Sequence, residues 1–459
     1  VFGMTLDYFN GDYFRTGTNI KTYTNEANDL SGIVDLYNGN IKAFRWRTRT
    51  ELTSGSGSGS TSGNPTHNMY GFNYDALSRM TKAQYGPSQS PQSSPTTTFS
   101  AGDYYKLDNI TYDRNGNIKG LSRNAYTGTD GQTSWVKEMD DFTYHYKPGT
   151  NQLVHLNDDP SYTGNWSVDL DDQGVHDPMV PATWNYQSNE SGQLVAETGN
   201  SNYLDYNLSG KVTKVYQDQG KTILKASYDY NERGSRIKKT SYDGTVNNNP
   251  VKETWYVHDA SGGIVAVYEK EAPATSETLV ELPIYASGRL GSFYRVSLET
   301  IYELTDHLGN VRATINRTKQ GNGDAQLLAY TDYYPFGMEM PGRSYASSPE
   351  YRFSFQGQEF EDETGWSAFD LRMYDARLGR WMAPDPYEQH FSPYLAMSNN
   401  PISFFDPNGG EDEDVNDGED EWDGKWNENH YRLMATFGFS DFAAGIARNL
   451  EDRGAGWFA

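Results

Sequence analysis

Residues 306–316 read DHLGNVRATIN: an Asp, a Gly three positions on, and an aliphatic residue two after the Gly. Gly supplies the positive φ that a tight reversal needs, and the apolar residue beyond it re-enters a strand. The same unit, headed by Tyr or Tyr-Asp, recurs as Tyr112-Asp113 with Gly116 and Ile118, Tyr186 with Gly192 and Leu194, Tyr206 with Gly210 and Val212, and Tyr256 with Gly262 and Ile264. Tyr74-Asp75 through Arg79 lacks the Gly, and Tyr228-Asp229-Tyr230 with Gly234 is out of step by one. Asn38-Gly39 marks one more turn, between Val34–Tyr37 and Ile41. Such hairpins cannot bury their aromatic faces singly and must stack on their neighbours. The fold class is therefore all-β. The pattern alone leaves an ordinary set of β-sandwiches open, since these also use Tyr, Gly and Asp freely.

Composition agrees. The chain has 459 residues, too many for one ordinary core, with 14% aromatic residues, 35 Tyr and 45 Gly. Tyr suits half-buried pleated surfaces because its ring packs while its hydroxyl finds a partner. The chain has no Cys, which excludes disulfides, thiolate metal sites and a Cys nucleophile. A net charge of -24 argues against nucleic acid as a partner. No run reaches the length of a membrane-spanning helix. The eight His form no HExxH pair, and neither a P-loop nor a GxSxG elbow is present, so neither a metal nor a cofactor is expected. The opening Val1-Phe2-Gly3 lacks an initiator Met and a signal segment, and the chain is expected to be a piece of something longer. Residues 54–66 and 86–99 are expected to be loops, the first either native or an engineered linker.

Residues 351–410, from YRFSFQGQEF to PISFFDPNGG, close the repetitive region. Pro384-Asp385-Pro386 denies ladder donors, so the chain is expected to leave the sheet there. Together with DHLGNVRATIN and YYPFGM (333–338), this segment resembles the RHS repeat-associated core of Bacteroidetes-type Rhs proteins. The likeness spans nearly all of residues 1–410. It implies a YD/RHS-repeat β-hairpin ribbon spiralling into a hollow shell over 1–350, a terminal plug over 351–410, and an acidic linker leading into a variable region over 411–459.

The closing pattern of that family, P-x-x-x-x-D-P-x-G, has Pro401, Asp406, Pro407 and Gly409 in place. In Rhs proteins and the related Tc-toxin C components this core resembles an intramolecular aspartyl protease. Carried over, the catalytic pair is Asp385 and Asp406, and the cut falls between Gly410 and Glu411. Such chemistry needs one carboxyl protonated and the other ionised to activate water. Arg380 is assigned the supporting charge. Each Asp taken alone reads as a turn residue capping local amides sooner than as a catalyst, and only their joint placement in this segment raises the catalytic reading. Gly410 stands where enterobacterial members carry Leu. His307 is expected to hydrogen-bond within its own turn.

Nine carboxylates crowd residues 411–423, which reads as a solvated linker. Leu433, Phe437, Phe442, Ile446 and Leu450 lie near a helical stripe, so the tail is expected to be a short helical or extended element. The resemblance implies a secreted or cell-surface shell carrying a C-terminal toxin for competition between bacteria. Its partners would be its own C-terminal segment, a secretion apparatus and an immunity protein. A surface adhesion or interaction protein on the same scaffold, without toxin or cleavage, is the alternative, and glycan binding by exposed Tyr and Trp rests on composition only.

Overall fold

The computed structural model describes residues 2–8, 35–48, 67–88, 104–126, 136–159, 170, 177, 180–286, 288–319, 325–347 and 351–415. Among them there are strands and short 3-10 turns and no α-helix. One eight-stranded sheet runs from Phe2–Asp7 to Leu153–Asp158, and one fourteen-stranded sheet from Tyr186–Ser188 to Glu339–Ala346. In both, strand order follows sequence order and neighbours pair antiparallel, so hairpins suffice to connect them. The all-β hairpin ribbon expected from the repeats is the fold.

The repeat has a physical rationale in two hydrogen bonds. At the turns headed by Asp113, Asn231 and Asp306 the carboxyl or carboxamide oxygen accepts the amides two and four residues ahead. Asp113 takes those of Asn115 (2.8 Å) and Asn117 (2.9 Å), Asn231 those of Arg233 (2.9 Å) and Ser235 (3.0 Å), and Asp306 those of Leu308 and Asn310 (both 3.1 Å). The left-handed position goes to Gly, as at Gly116 (φ +87°) and Gly309 (φ +80°). In the copy without Gly, Ser78 takes it at φ +61°, at a cost of about 1 kcal/mol.

The second bond stitches one hairpin to the one before. The Tyr just ahead of the turn donates its hydroxyl to the carbonyl of the residue two past the preceding turn's Gly. Tyr146 reaches Ile118 (2.6 Å), Tyr206 reaches Leu194 (2.6 Å), Tyr230 reaches Val212 (2.8 Å) and Tyr333 reaches Val311 (3.1 Å). This explains why Tyr and the aliphatic position recur together. It also resolves the out-of-step copy, whose turn residue is Asn231 and whose stitching ring is Tyr230. In the 256–264 copy His258 replaces Tyr, its Nε2 pairing with Arg236 O at 2.8 Å, and Tyr256 instead donates to Glu359.

Three expectations change. The strand Met80–Ser88 extends into the loop expected from residue 86. Asn38-Gly39 does turn (Gly39 φ +86°), but Ala43–Thr48 beyond it pairs with Phe2–Asp7 and not with the described residues 35–37. His307 reaches well outside its turn, its Nε2 meeting Ile402 O at 2.9 Å. The loops of 54–66 and 89–99, and the tail from 416 onward with its helical stripe, lie outside the described residues. No helix among the described residues is long and apolar enough to cross a membrane.

The ribbon curls around its own terminal segment. The larger hydrophobic cluster among the described residues joins Trp46, Tyr70 and Phe142 of the first sheet, Leu204 and Tyr228 of the second, and Trp366, Leu378 and Ile402 of the segment. Polar contacts from the segment follow the turn-bearing edge: Asn400 Nδ2 donates to Asn40 Oδ1, Asn399 Nδ2 to Gly116 O, Tyr394 Oη to Gly192 O, and Tyr374 Oη to Phe336 O. Residues 351–415 thus pack against the turn-bearing edge of the ribbon they terminate and share its core.

Candidate functional site

The segment positions its carboxylates through the ribbon. Asp306 holds Asn310, whose Oδ1 accepts the Gln356 amide (2.8 Å), and Gln356 Oε1 in turn accepts the Asp406 amide (3.0 Å). The DHLGN turn is therefore two hydrogen bonds away from Asp406. Asp406 is fully buried, and its Oδ1 accepts the amides of Asn408 (3.2 Å), Gly409 (2.7 Å) and Gly410 (3.0 Å). Asp385, 6% exposed, accepts the amides of Tyr387 and Gln389, both at 3.0 Å. Both aspartates thus use the amide pattern of the ribbon's turns, which bears out the turn role assigned to each singly.

They are also brought together. Arg372, buried over the face of Trp381 (4.2 Å), sets Nη2 at 3.4 Å from Asp406 Oδ2 and 3.7 Å from Asp385 Oδ1. The same nitrogen lies 3.4 Å from Gly410 O, and Nε donates to Gly409 O at 2.5 Å. The carbonyl of the Gly410–Glu411 peptide therefore faces the guanidinium that the two carboxylates share. Burial pushes the Asp406 carboxyl up to about 6, opposed by Arg372, with the charge of Asp412 adding to the rise and the Gly409 and Gly410 amides resisting it.

Arg380 does not occupy the expected position. Its guanidinium donates to Tyr146 Oη (2.7 Å), Asn151 O (3.0 Å) and Asn117 Oδ1 (3.4 Å), anchoring the segment to the ribbon. It pairs in register with Asp375, whereas Arg372 ends the turn from Phe369 that faces Asp406. Pro401 and Pro407 flank the strand Phe404–Phe405, and Gly409 sits at φ +84°, where a Cβ would come within 2.9 Å of Phe369. A Cβ on Gly410 would run into the Tyr387 ring and come within 2.8 Å of Leu371 Cδ1. Tyr387 and Leu371 fill the space into which a Leu at 410 would project.

Residues beyond Gly410 are not a free linker at their start. Glu413–Asp414 pairs with Phe404–Phe405, and Asp412 is 9% exposed between exposed Glu411 and Glu413. Over residues 411–415 the chain is held and not solvated as a linker would be, because Asp412, just ahead of this short strand, is buried. Sequence reading missed Asp412, Arg372, Gln356 and Gln389. Period-two alternation marks a buried strand residue, but four consecutive acids give it no contrast.

Fold and site together define a YD shell whose terminal segment shares the core of the ribbon. The family model described as teneurin YD-shell matches residues 123–406, well over half of the chain, and the protein belongs to that family. Among curated proteins, salivary gland surface protein 1 of Aedes aegypti is 35% identical over 162 residues, covering 34% of this chain and 4% of its own length. Among solved structures, the TcdB2-TccC3-Cdc42 crystal structure is 15% identical with a TM-score of 0.49, over 81% of this chain and 18% of that one. The Photorhabdus luminescens Tc holotoxin pore is 13% identical with a TM-score of 0.34, over 80% and 23%. The chain thus spans a small fraction of each relative.

Proposed function

We propose that this protein is a secreted or cell-surface YD shell that carries a C-terminal toxin or effector and cuts itself from it between Gly410 and Glu411. The observation that carries the cleavage is the convergence of Asp385, Asp406 and the Gly410 carbonyl on Arg372 Nη2. Arg372 polarises that carbonyl and stabilises the oxyanion that forms on it. Asp385 takes a proton from a water whose oxygen attacks the Gly410 carbonyl carbon. Asp406, whose raised value keeps its proton to higher pH, protonates the Glu411 nitrogen as the C–N bond breaks. The products are a Gly410 carboxylate and a free Glu411 amine. Here the Tyr387 ring and Leu371 Cδ1 lie against Gly410, where a side chain at 410 would project, so the difference from Leu does not itself remove the site.

Intact mass of purified protein tests this, with Asp385→Asn and Asp406→Asn beside it. Wild type should yield a fragment ending at Gly410 and both variants should stay whole; a single uncut wild-type species under native refolding conditions sinks the reading. Toxicity of the segment from Glu411 onward to neighbouring bacteria, relieved by a cognate immunity protein, tests the cargo.

A second reading, a surface interaction protein that is never cut, is favoured by the pairing of residues 413–414 back onto 404–405. The name of the Aedes relative fits it as well. An uncut chain bound to a cell surface would support it.

A further inference from the structure

We propose that the pocket around Asp412 is a carboxylate-binding subsite that selects the bond to be cut by gripping the second residue past it. The inference rests on the cleavage reading above. Asp412 Oδ1 accepts the Met397 amide (3.1 Å). Its Oδ2 accepts the Ser398 amide (2.5 Å) and the Ser398 hydroxyl (3.1 Å), and faces His390 Nε2 at 2.9 Å. Gln389 brackets the Asp412 main chain, its Oε1 accepting the amide (2.9 Å) and its Nε2 donating to the carbonyl (3.3 Å). Side chain and backbone are thus both read, as a protease subsite reads a bound peptide.

The pocket is built, and at a conformational cost. Met397, Ser398 and Asn399 take φ of +45°, +51° and +55°, three successive non-glycine residues in the left-handed region. The turn closes without Asp412, through Asn399 N to Ala396 O and Asn400 N to Met397 O. That leaves the amides of Met397 and Ser398 aimed at one point, a concavity suited to an anion. Asn399 and Asn400 brace the turn against Gly116 and Asn40 of the ribbon.

The pocket is tied to the proposed chemistry on both sides. Gln389, which holds the Asp412 backbone, gives its own amide to Asp385 Oδ2. Two residues upstream, the Gly410 amide is on Asp406 and its carbonyl faces Arg372. Glu411 is therefore spanned between two fixed neighbours, which sets the Gly410–Glu411 peptide in register. Asp412 acts through that peptide and is a positioning residue.

The test compares the full chain with Asp412→Ala, Asp412→Glu, Ser398→Ala and His390→Phe, reading the rate and position of the cut by intact mass. Hydrogen exchange of 395–400 and 411–415 is read in parallel. Asp412→Ala should slow the cut about tenfold or more or displace it, since small misplacements at a reacting bond are costly. Asp412→Glu should recover part of the rate, and the two pocket variants should slow it without altering the peptide that is cut. In Asp412→Ala both segments should lose exchange protection. Cutting of Asp412→Ala at the wild-type rate and bond overturns the proposal. If wild type is never cut, the cleavage reading fails by itself, and exchange then decides the pocket. Unchanged protection in Asp412→Ala removes the pocket, and lost protection leaves a docking contact that selects no bond, which also overturns the proposal.

Discussion

Replacing Arg372 with Met removes the guanidinium that Asp385 and Asp406 share while keeping an apolar stem over Trp381. Deleting one partner of a buried ion pair costs about 3–5 kcal/mol, because a charge is left without compensation. Asp406 keeps three amide donors and Asp385 two, which softens the loss toward about 3 kcal/mol at pH 8. The loss should depend on pH with a definite sign. The folded value of Asp406 is raised to about 6, above the unfolded carboxylate, so the native state binds the proton first and stability rises as pH falls from about 6 toward 4. Without Arg372, which lowers that value, the rise should begin at higher pH, and the gap to wild type should narrow by pH 5. Urea unfolding of uncut chain at pH 8 and pH 5, followed by Trp fluorescence, measures both. A loss below about 1 kcal/mol, or one equal at both pH values, would refute the shared-guanidinium account. Adding Asp385→Asn and Asp406→Asn to Arg372→Met should restore most of the stability, since no buried charge then lacks a partner.

Tyr230→Phe deletes one stitch, to Val212 O, and should lower unfolding stability by about 1 kcal/mol; no change would mean that the ring alone matters. Gly262→Ala, at φ +98° with nothing within 4 Å of the added Cβ, should cost about 1 kcal/mol from backbone strain alone. Gly192→Ala, at φ +83° with Tyr394 Oη at 2.7 Å and Pro384 Cγ at 2.9 Å, should cost more and loosen the terminal segment, seen as faster exchange of 381–395. The cleavage rate should fall as pH rises through about 6, because Asp406 must hold its proton to act as donor; a rate that climbs through that range would reverse the assigned roles.

The ribbon was readable because its turns obey local rules. A carboxylate or carboxamide that accepts amides two and four residues on, a left-handed Gly, and a returning aliphatic residue all fall within a few positions. The Tyr stitch was visible only as a composition, since its acceptor lies in the preceding hairpin. The aspartate pair was legible as a motif, and the structure puts both on one guanidinium. Which Arg supplies it was not, because proximity in sequence favours Arg380 while hairpin register sends that side chain to Tyr146 and Asn151. Asp412 was hidden for a different reason. A buried acid declares itself by contrast with its neighbours, and here every neighbour is also acidic.

Hydrolysis of the Gly410–Glu411 peptide by a water activated within the terminal segment is the proposed step that an isotope label reads out. Refolding in heavy-oxygen water followed by mass analysis of the products tests it most directly. The expected products are a fragment ending at Gly410 with one heavy oxygen in its new carboxylate, and a partner beginning at Glu411 that carries none. A chain that stays whole, or a cut at any other bond, would contradict it.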